Sequence, residues 1–323
     1  MSLLAFPFRI FFLLTGIFGV VTVSAWMSYL FGGLPLPLGW SPAHWHSHEM
    51  LFGLAGSAIA GFLLTAMCNW TGAAPLRNVG LFSLACLWLS GRFVMWTASW
   101  WPSWIVAVLD LAFLLTVAVY ALRILLIHGN KRNLIMVAIL LLLGGANGMM
   151  HIGFATSDVA WLIRGEVAAF NLLTLLMVVI GGRIIPMFTI NWLRNHGHDI
   201  SVVRQSSRLD IIAIVFVALL IPADLLSPTQ SFYSYWINGV IALTAGGILG
   251  TRLLGWAGWK TAREPLLWVL NLGYLWIVIA LFLKSAAAFG IVAPSAWQHA
   301  IGVGGMGTLI LGIMARVALA HTG

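Results

Sequence analysis

The chain has 323 residues, of which 61% are apolar and 7% charged, with a mean hydropathy of +1.01 and a net charge of +8. A soluble domain carries about 25% charged residues, so this composition excludes an ordinary soluble enzyme and leaves a membrane protein built almost wholly of spans. Nothing resembles a nucleic-acid module. The two cysteines, Cys68 and Cys86, sit in apolar stretches and imply no disulfide framework.

A bilayer core of about 30 Å is crossed by about 20 apolar residues of helix. By that measure the sequence predicts an all-α, polytopic transmembrane bundle of ten spans forming a single domain over residues 1–323. They fall near 8–31, 42–67, 78–99, 103–126, 133–154, 162–192, 209–226, 234–257, 265–288 and 296–320. The first is no mere signal peptide, because Arg9 precedes a full-length apolar run and further spans follow. Turn-forming stretches such as "GGLPLPLG", "WPSW" and "LIPADLLSP" separate the helices.

Lys and Arg set the direction. With span 1 starting inside, Arg9, Arg77, Arg123, Lys131, Arg132, Arg194, Arg204, Arg208, Arg252, Lys260, Arg263 and Arg316 all fall on one side. The other side has Arg164 alone, while Arg92, Arg183 and Lys284 lie within spans. The N-terminus is therefore expected in the cytoplasm, with the "HWHSH" end of span 2 facing outward. His44, His46, His48, His151 and His299 then share the outer ends of spans 2, 5 and 10, while His128, His196, His198 and His321 lie on the inner side.

"SPAHWHSHEM" (41–50) opens span 2 with Ser as the expected N-cap and Pro at the first helical position. Four residues apart, His44 and His48 share a helix face and can share an ion, while His46 projects the opposite way. The alternative is an interfacial cap, with Trp45 and the histidines at headgroup level. His151, at the end of span 5, is a further ligand candidate at the same level.

An internal repeat strengthens the metal reading. "HEMLFGLAGSAIAGFLLTAMCNWTG" (48–72) aligns without a gap on "HAIGVGGMGTLILGIMARVALAHTG" (299–323). His48 falls on His299, Gly53 on Gly304, Ser57 on Thr308, Gly61 on Gly312, and Thr71-Gly72 on Thr322-Gly323. Glu166 takes the histidine position more weakly in span 6, so spans 2, 6 and 10 read as equivalent members of a four-helix unit used three times, the last incomplete. The small-residue ladders let helices approach closely. Convergence of spans 2 and 10 would bring His48 and His299 to one depth, the arrangement needed to grip a haem iron from both faces.

Three cations lie inside spans. Arg92 and Asp110 flank the tight "WPSW" turn at equal depth and are expected to form an intramembrane salt bridge. Arg183 has no acid at matching depth in span 5, which favours a substrate, an ion pathway or an anionic cofactor such as a haem propionate; a carbonyl-lined pocket is the alternative. Lys284 is expected to snorkel, and Glu166 to pair with Arg164 or reach toward the histidine layer.

"HSHEMLFGLAGSAIAGFLLTAMCNWTG", "GGRIIPMFT", "FRIFFLLTG" and the closing "HAIGVGGMGTLILGIMARVALAHTG" resemble the signature blocks of the NnrS family over the whole chain. The resemblance implies a bacterial inner-membrane protein that binds haem b and copper and serves in nitric oxide and nitrosative-stress responses, often beside denitrification functions. It also implies about twelve spans in repeated units, two more than appear here. His46, His48, Glu49, Asn69, Arg183, His299 and His321 lie in the matching motifs; Cys68 departs from the family pattern and His44 is less secure. A more distant likeness is to the catalytic subunit of haem-copper oxidases, but span 7 lacks the paired histidines of those enzymes.

The expected ligands are thus His48 and His299 for haem, with Arg183 as the anion or propionate partner, and His44, His46, His151 and His321 for metal. The expected partners are nitric oxide or a related small molecule, the lipid bilayer and a respiratory-chain protein. Two axial imidazoles favour electron transfer or storage; one labile ligand permits binding. The rival readings are a transporter of a small anionic solute and a non-catalytic assembly factor for respiratory enzymes.

Overall fold

The structure is a computed structural model and describes residues 2–33, 39–227 and 232–322, without the side chains of 232–234, 321 and 322. Most of the "GGLPLPLG" connection and the side chain of His321 therefore lie outside the described residues. Among the described residues, ten helices are long and apolar enough to cross a membrane: Pro7–Gly32, Pro42–Thr71, Asn78–Trp96, Ser103–Ile127, Lys131–Thr156, Val159–Asn195, Ser207–Leu226, Tyr235–Gly255, Pro265–Ala288 and Pro294–Ala320. No strand occurs among the described residues. The chain is a multi-pass helical membrane protein.

The ends depart from the sequence expectation where local chemistry extends a helix beyond its apolar run. Span 6 begins at Val159 because Asp158 Oδ1 accepts from the Ala160 backbone N–H at 2.9 Å, satisfying one of the unpaired donors of the first turn. Span 2 does begin with Pro42 at its first position, but Ser41 caps nothing with its side chain; its carbonyl accepts from Trp45 instead. Apolar residues cover the outward surfaces, with Val20 69%, Val79 77% and Leu311 66% exposed. That is the expected surface of a helix whose solvent is lipid.

The chain forms two compact units, Met1–Ala169 with Ala320–Gly323, and Phe170–Leu319. In the first, span 2 is the most enclosed of the ten helices. Its small-residue ladder packs on span 1: a Cβ on Gly53 would meet Phe18 at 2.6 Å, and one on Gly61 would meet Phe12 at 2.7 Å. Between them Ser57 Oγ lies 2.8 Å from Thr15 Oγ1. The ladder is a packing surface, as expected.

In the second unit the corresponding ladder of span 10 packs on span 9, where Gly304 faces Trp276 and Gly312 faces Leu270. The repeat between spans 2 and 10 extends to the backbone. In both, a short α-helical opening ends on the histidine, His48 or His299, and widens at once into a π-helical stretch, Glu49–Leu54 or Ala300–Gly307. Such π-helical turns are rare and frequent at functional sites. Span 6 has none and is α-helical from Val159 to Asn195 despite Pro186 within it.

Two polar groupings organise the second unit. Arg252 is buried, donates to Asp210 Oδ1 from Nε at 2.9 Å and to Tyr274 Oη from Nη1 at 2.7 Å, and lies over the Trp256 ring. Its guanidinium fills the place a side chain at Gly182 would take. Lys284 does not snorkel: it is buried, donates to Asp224 Oδ2 at 2.7 Å and Asn171 Oδ1 at 3.2 Å, and sits 4.0 Å from the Trp297 ring centroid. A matching acid on span 7 makes burial cheaper than reaching the interface, and hydropathy alone does not reveal that pairing.

Candidate functional site

The first unit buries a cluster of charged and imidazole side chains contributed by spans 2, 3, 4 and 5. His48 and Glu49 are consecutive, at the junction where span 2 changes from α to π, and neither is exposed. Arg92 comes from span 3, Asp110 from span 4, and Asn147 and His151 from span 5; all four are buried.

Arg92 holds both carboxylates, donating from Nη1 to Glu49 Oε1 and from Nη2 to Asp110 Oδ1. A guanidinium presents its donors in a rigid fork, so one residue can bridge two acids on different helices. Glu49 Oε2 accepts from Trp96 Nε1 at 3.1 Å. The other Asp110 oxygen, Oδ2, accepts from Asn147 Nδ2 at 2.7 Å and His151 Nε2 at 2.9 Å, with His48 Nε2 at 3.1 Å. With its amide N–H on Asp110, Asn147 turns its Oδ1 toward His48 Nε2, 2.8 Å away. His48 Nδ1 is 3.1 Å from Glu49 Oε1. The rings of Trp40 (5.2 Å), Phe52 (4.9 Å) and His151 (5.5 Å) surround His48.

Chemically, the cluster offers nitrogen and carboxylate donors of the kind transition metals take. One ligand atom each from His48, Asp110 and His151 lies within 4.8 Å of the others, so a compact ion matches the donor set. A haem on His48 does not fit this arrangement. Iron needs a free ring nitrogen at about 2 Å with an open porphyrin plane around it, whereas both nitrogens of His48 face oxygens inside a closed shell of rings.

The remaining candidates go elsewhere. The three histidines of the "HWHSH" run part company. His44 is held by Glu166, with Nδ1 3.0 Å from Oε2, and is not one of the three ligand candidates gathered at His48. His46 stacks on Trp26 of span 1 at 4.5 Å and 9°. Glu166 thus reaches a histidine rather than Arg164. In the second unit His299 is exposed, and its Nδ1 donates to the Ser295 carbonyl at 2.8 Å, leaving Nε2 as the outward lone pair. His128 and His196 make the same bond one turn back, so it is an ordinary habit of helical histidine. Arg183 is half-buried and engaged within the chain.

Sequence reasoning found the Arg92–Asp110 bridge but not Glu49, Asn147, Trp96 or Trp40 as members of the cluster. The available signal was three polar residues at one depth in consecutive spans 3, 4 and 5, with "HE" at that depth in span 2. Reading them together would have pointed to one buried centre.

Fold and site together define a class: a polytopic helical membrane protein with an imidazole–carboxylate–guanidinium centre enclosed by its own helices. The family model described as NnrS protein matches residues 2–323. The chain belongs to the NnrS family. No curated protein and no solved structure matches it.

Proposed function

We propose that the protein serves in the bacterial response to nitric oxide, and that the buried cluster of His48, Asp110 and His151 holds a copper-class ion. Family membership supports the first half of this reading. The second half rests on one observation: three donors typical of a transition-metal site are gathered and enclosed in the first unit. The preference of Lys and Arg for one set of span ends supports a cytoplasmic N-terminus, and family membership supports an inner-membrane location. In this reading a haem would take the exposed His299 of the second unit as a single axial ligand through its outward Nε2.

A redox metal here would supply one-electron exchange and affinity for nitric oxide, which is small and apolar and reaches a buried site through lipid. The chain's own contribution is to exclude water, hold His48 and His151 in fixed orientations, and neutralise two carboxylates with Arg92. A respiratory-chain protein is the natural electron donor. A transporter of small anions is the competing reading, favoured by buried charge in both units.

The test is the absorption spectrum and metal content of the purified protein before and after nitric oxide. The proposal expects a Soret band lost in His299→Ala, copper retained in that variant, and a spectral shift on adding nitric oxide. A colourless, copper-free preparation that binds an anion through Arg183 supports transport instead.

A further inference from the structure

The second unit gathers a polar centre of its own at the end where spans 7 and 9 finish and spans 8 and 10 begin. Asp224 lies near the end of span 7, Asn238 near the start of span 8, Lys284 near the end of span 9 and Trp297 near the start of span 10, while Asn171 reaches in from span 6. The charged group facing Asp224 is Lys284, whose Nζ donates to Oδ2 at 2.7 Å. The same oxygen accepts from Asn171 Nδ2 at 2.7 Å. Oδ1 accepts from Asn238 Nδ2 at 3.0 Å, and that amide also donates to Ser227 Oγ at 3.1 Å.

This pair is built differently from the Arg92–Asp110 bridge of the first unit. Arg92 is a rigid fork that clamps two carboxylates, whereas Lys284 is a point charge on a flexible stem and reaches one oxygen of Asp224. The Asp110 side chain is sealed, while that of Asp224 keeps 16% of its surface exposed. Pro222, two residues earlier, has no N–H for the Ala218 carbonyl, so the turn that carries the carboxylate is loosened. One polar atom is also left over: Asn238 Oδ1 is buried and meets no partner among the described residues. Buried polar atoms are rarely left unpaired, because each costs about 1–3 kcal/mol. The unspent atom is an acceptor, and it belongs to the amide that touches a carboxylate, a group that becomes a donor on gaining a proton.

We propose that Asp224 is a proton-binding site, exchanging one proton with water at this end of the span, with Lys284 as its counter-charge and Asn238 as the acceptor for the acid. The inference is independent of the metal and nitric oxide readings. Uptake of the proton turns the carboxylate into a carboxylic acid and breaks no bond between heavy atoms; the pair passes from no net charge to one positive charge. A turn of the Asn238 amide then presents Oδ1 to the new O–H, which uses the unspent acceptor. A lone buried cation would ordinarily forbid this state. Lys284 has a second holder already in place: it keeps Asn171 Oδ1 at 3.2 Å and the face of the Trp297 ring, whose centroid is 4.0 Å from Nζ. An ammonium over an indole is attracted by the ring quadrupole.

The experiment is infrared difference spectroscopy of the full-length protein in detergent, with the pH lowered in steps across the range in which it stays folded. The expected result is a carboxylic-acid carbonyl band that grows as pH falls, shifts in deuterium oxide and is missing in Asp224→Asn. Lys284→Met removes the cation that favours the carboxylate, so the band should appear about 1–3 pH units higher. Asn238→Leu should move the band to higher frequency, as in an acid that has lost its hydrogen bond. Where Asp224→Asn does not fold, Asp224→Glu takes its place, and the band should change position. A wild type with no such band, or a band that the Asp224 variants leave unaltered, makes the pair a fixed salt bridge and overturns the proposal. An unmoved midpoint in Lys284→Met, or an unmoved frequency in Asn238→Leu, overturns the part given to that residue.

Discussion

Arg92 and Asp110, eighteen residues apart on antiparallel neighbours, meet through Nη2 and Oδ1 inside the protein, while Nη1 of the same guanidinium holds Glu49 of span 2. One cation thus joins three helices. Removing one member of a buried ion pair costs about 3–5 kcal/mol, because the charge left behind has no solvent to turn to. Arg92→Leu strands two carboxylates, so thermal unfolding in detergent should show a loss at or above that range. Adding Glu49→Gln and Asp110→Asn to Arg92→Leu should restore part of it. Unchanged stability in the single variant would show that the bridge contributes nothing.

Lys284 and Asp224 are the corresponding pair in the second unit, tied to Asn171 by hydrogen bonds at 2.7 and 3.2 Å. Their coupling can be isolated by a double-mutant cycle with Lys284→Met and Asp224→Asn. The two single variants should each destabilise more than the double, with an interaction energy of about 0.5–3 kcal/mol. Strict additivity would restore the snorkelling reading of Lys284.

The glycine ladder of span 2 gives a graded test of close packing. Gly61→Leu must displace Phe12 and Phe11, which stand 2.7 and 3.1 Å from where a Cβ would lie. Such overpacking costs about 1–3 kcal/mol. Gly16→Ala, on span 1 with nothing within 4 Å of the new methyl, should stay within about 0.5 kcal/mol of the wild type. Comparable losses in both variants would contradict the ladder's packing role.

Gly182 answers a different need. Pro186 lacks the N–H that would bond the Gly182 carbonyl, so the turn is already loosened there, and the Arg252 guanidinium occupies the side-chain position of Gly182. Gly182→Ala should push Arg252 off Asp210 and Tyr274, and its stability loss should not add to that of Arg252→Ala. Additive losses would separate the two residues.

The fold was legible because lipid imposes a simple rule: every span must be a long apolar helix, and runs of apolar residues mark all ten. The His48–His299 repeat was legible too, and it recurs in the backbone as an α-to-π change at each histidine. What the sequence hid was partnership. His44, His46 and His48 look like one motif, yet Glu166, Trp26 and Asp110 draw them in three directions. Lys284 looked like an interfacial residue because its acid lies sixty positions away. Asp110 looked like half of a structural ion pair, since nothing local in span 4 reveals that two imidazoles and an amide converge on its second oxygen.

The most direct test of this account is protection of living cells. A strain lacking the protein is challenged with nitric oxide while expressing the wild type, His151→Gln or Gly16→Ala at equal membrane levels. If the buried cluster of the first unit is the working centre, Gly16→Ala protects as the wild type does and His151→Gln does not. Full protection by His151→Gln would contradict the account and detach the cluster from the nitric oxide response.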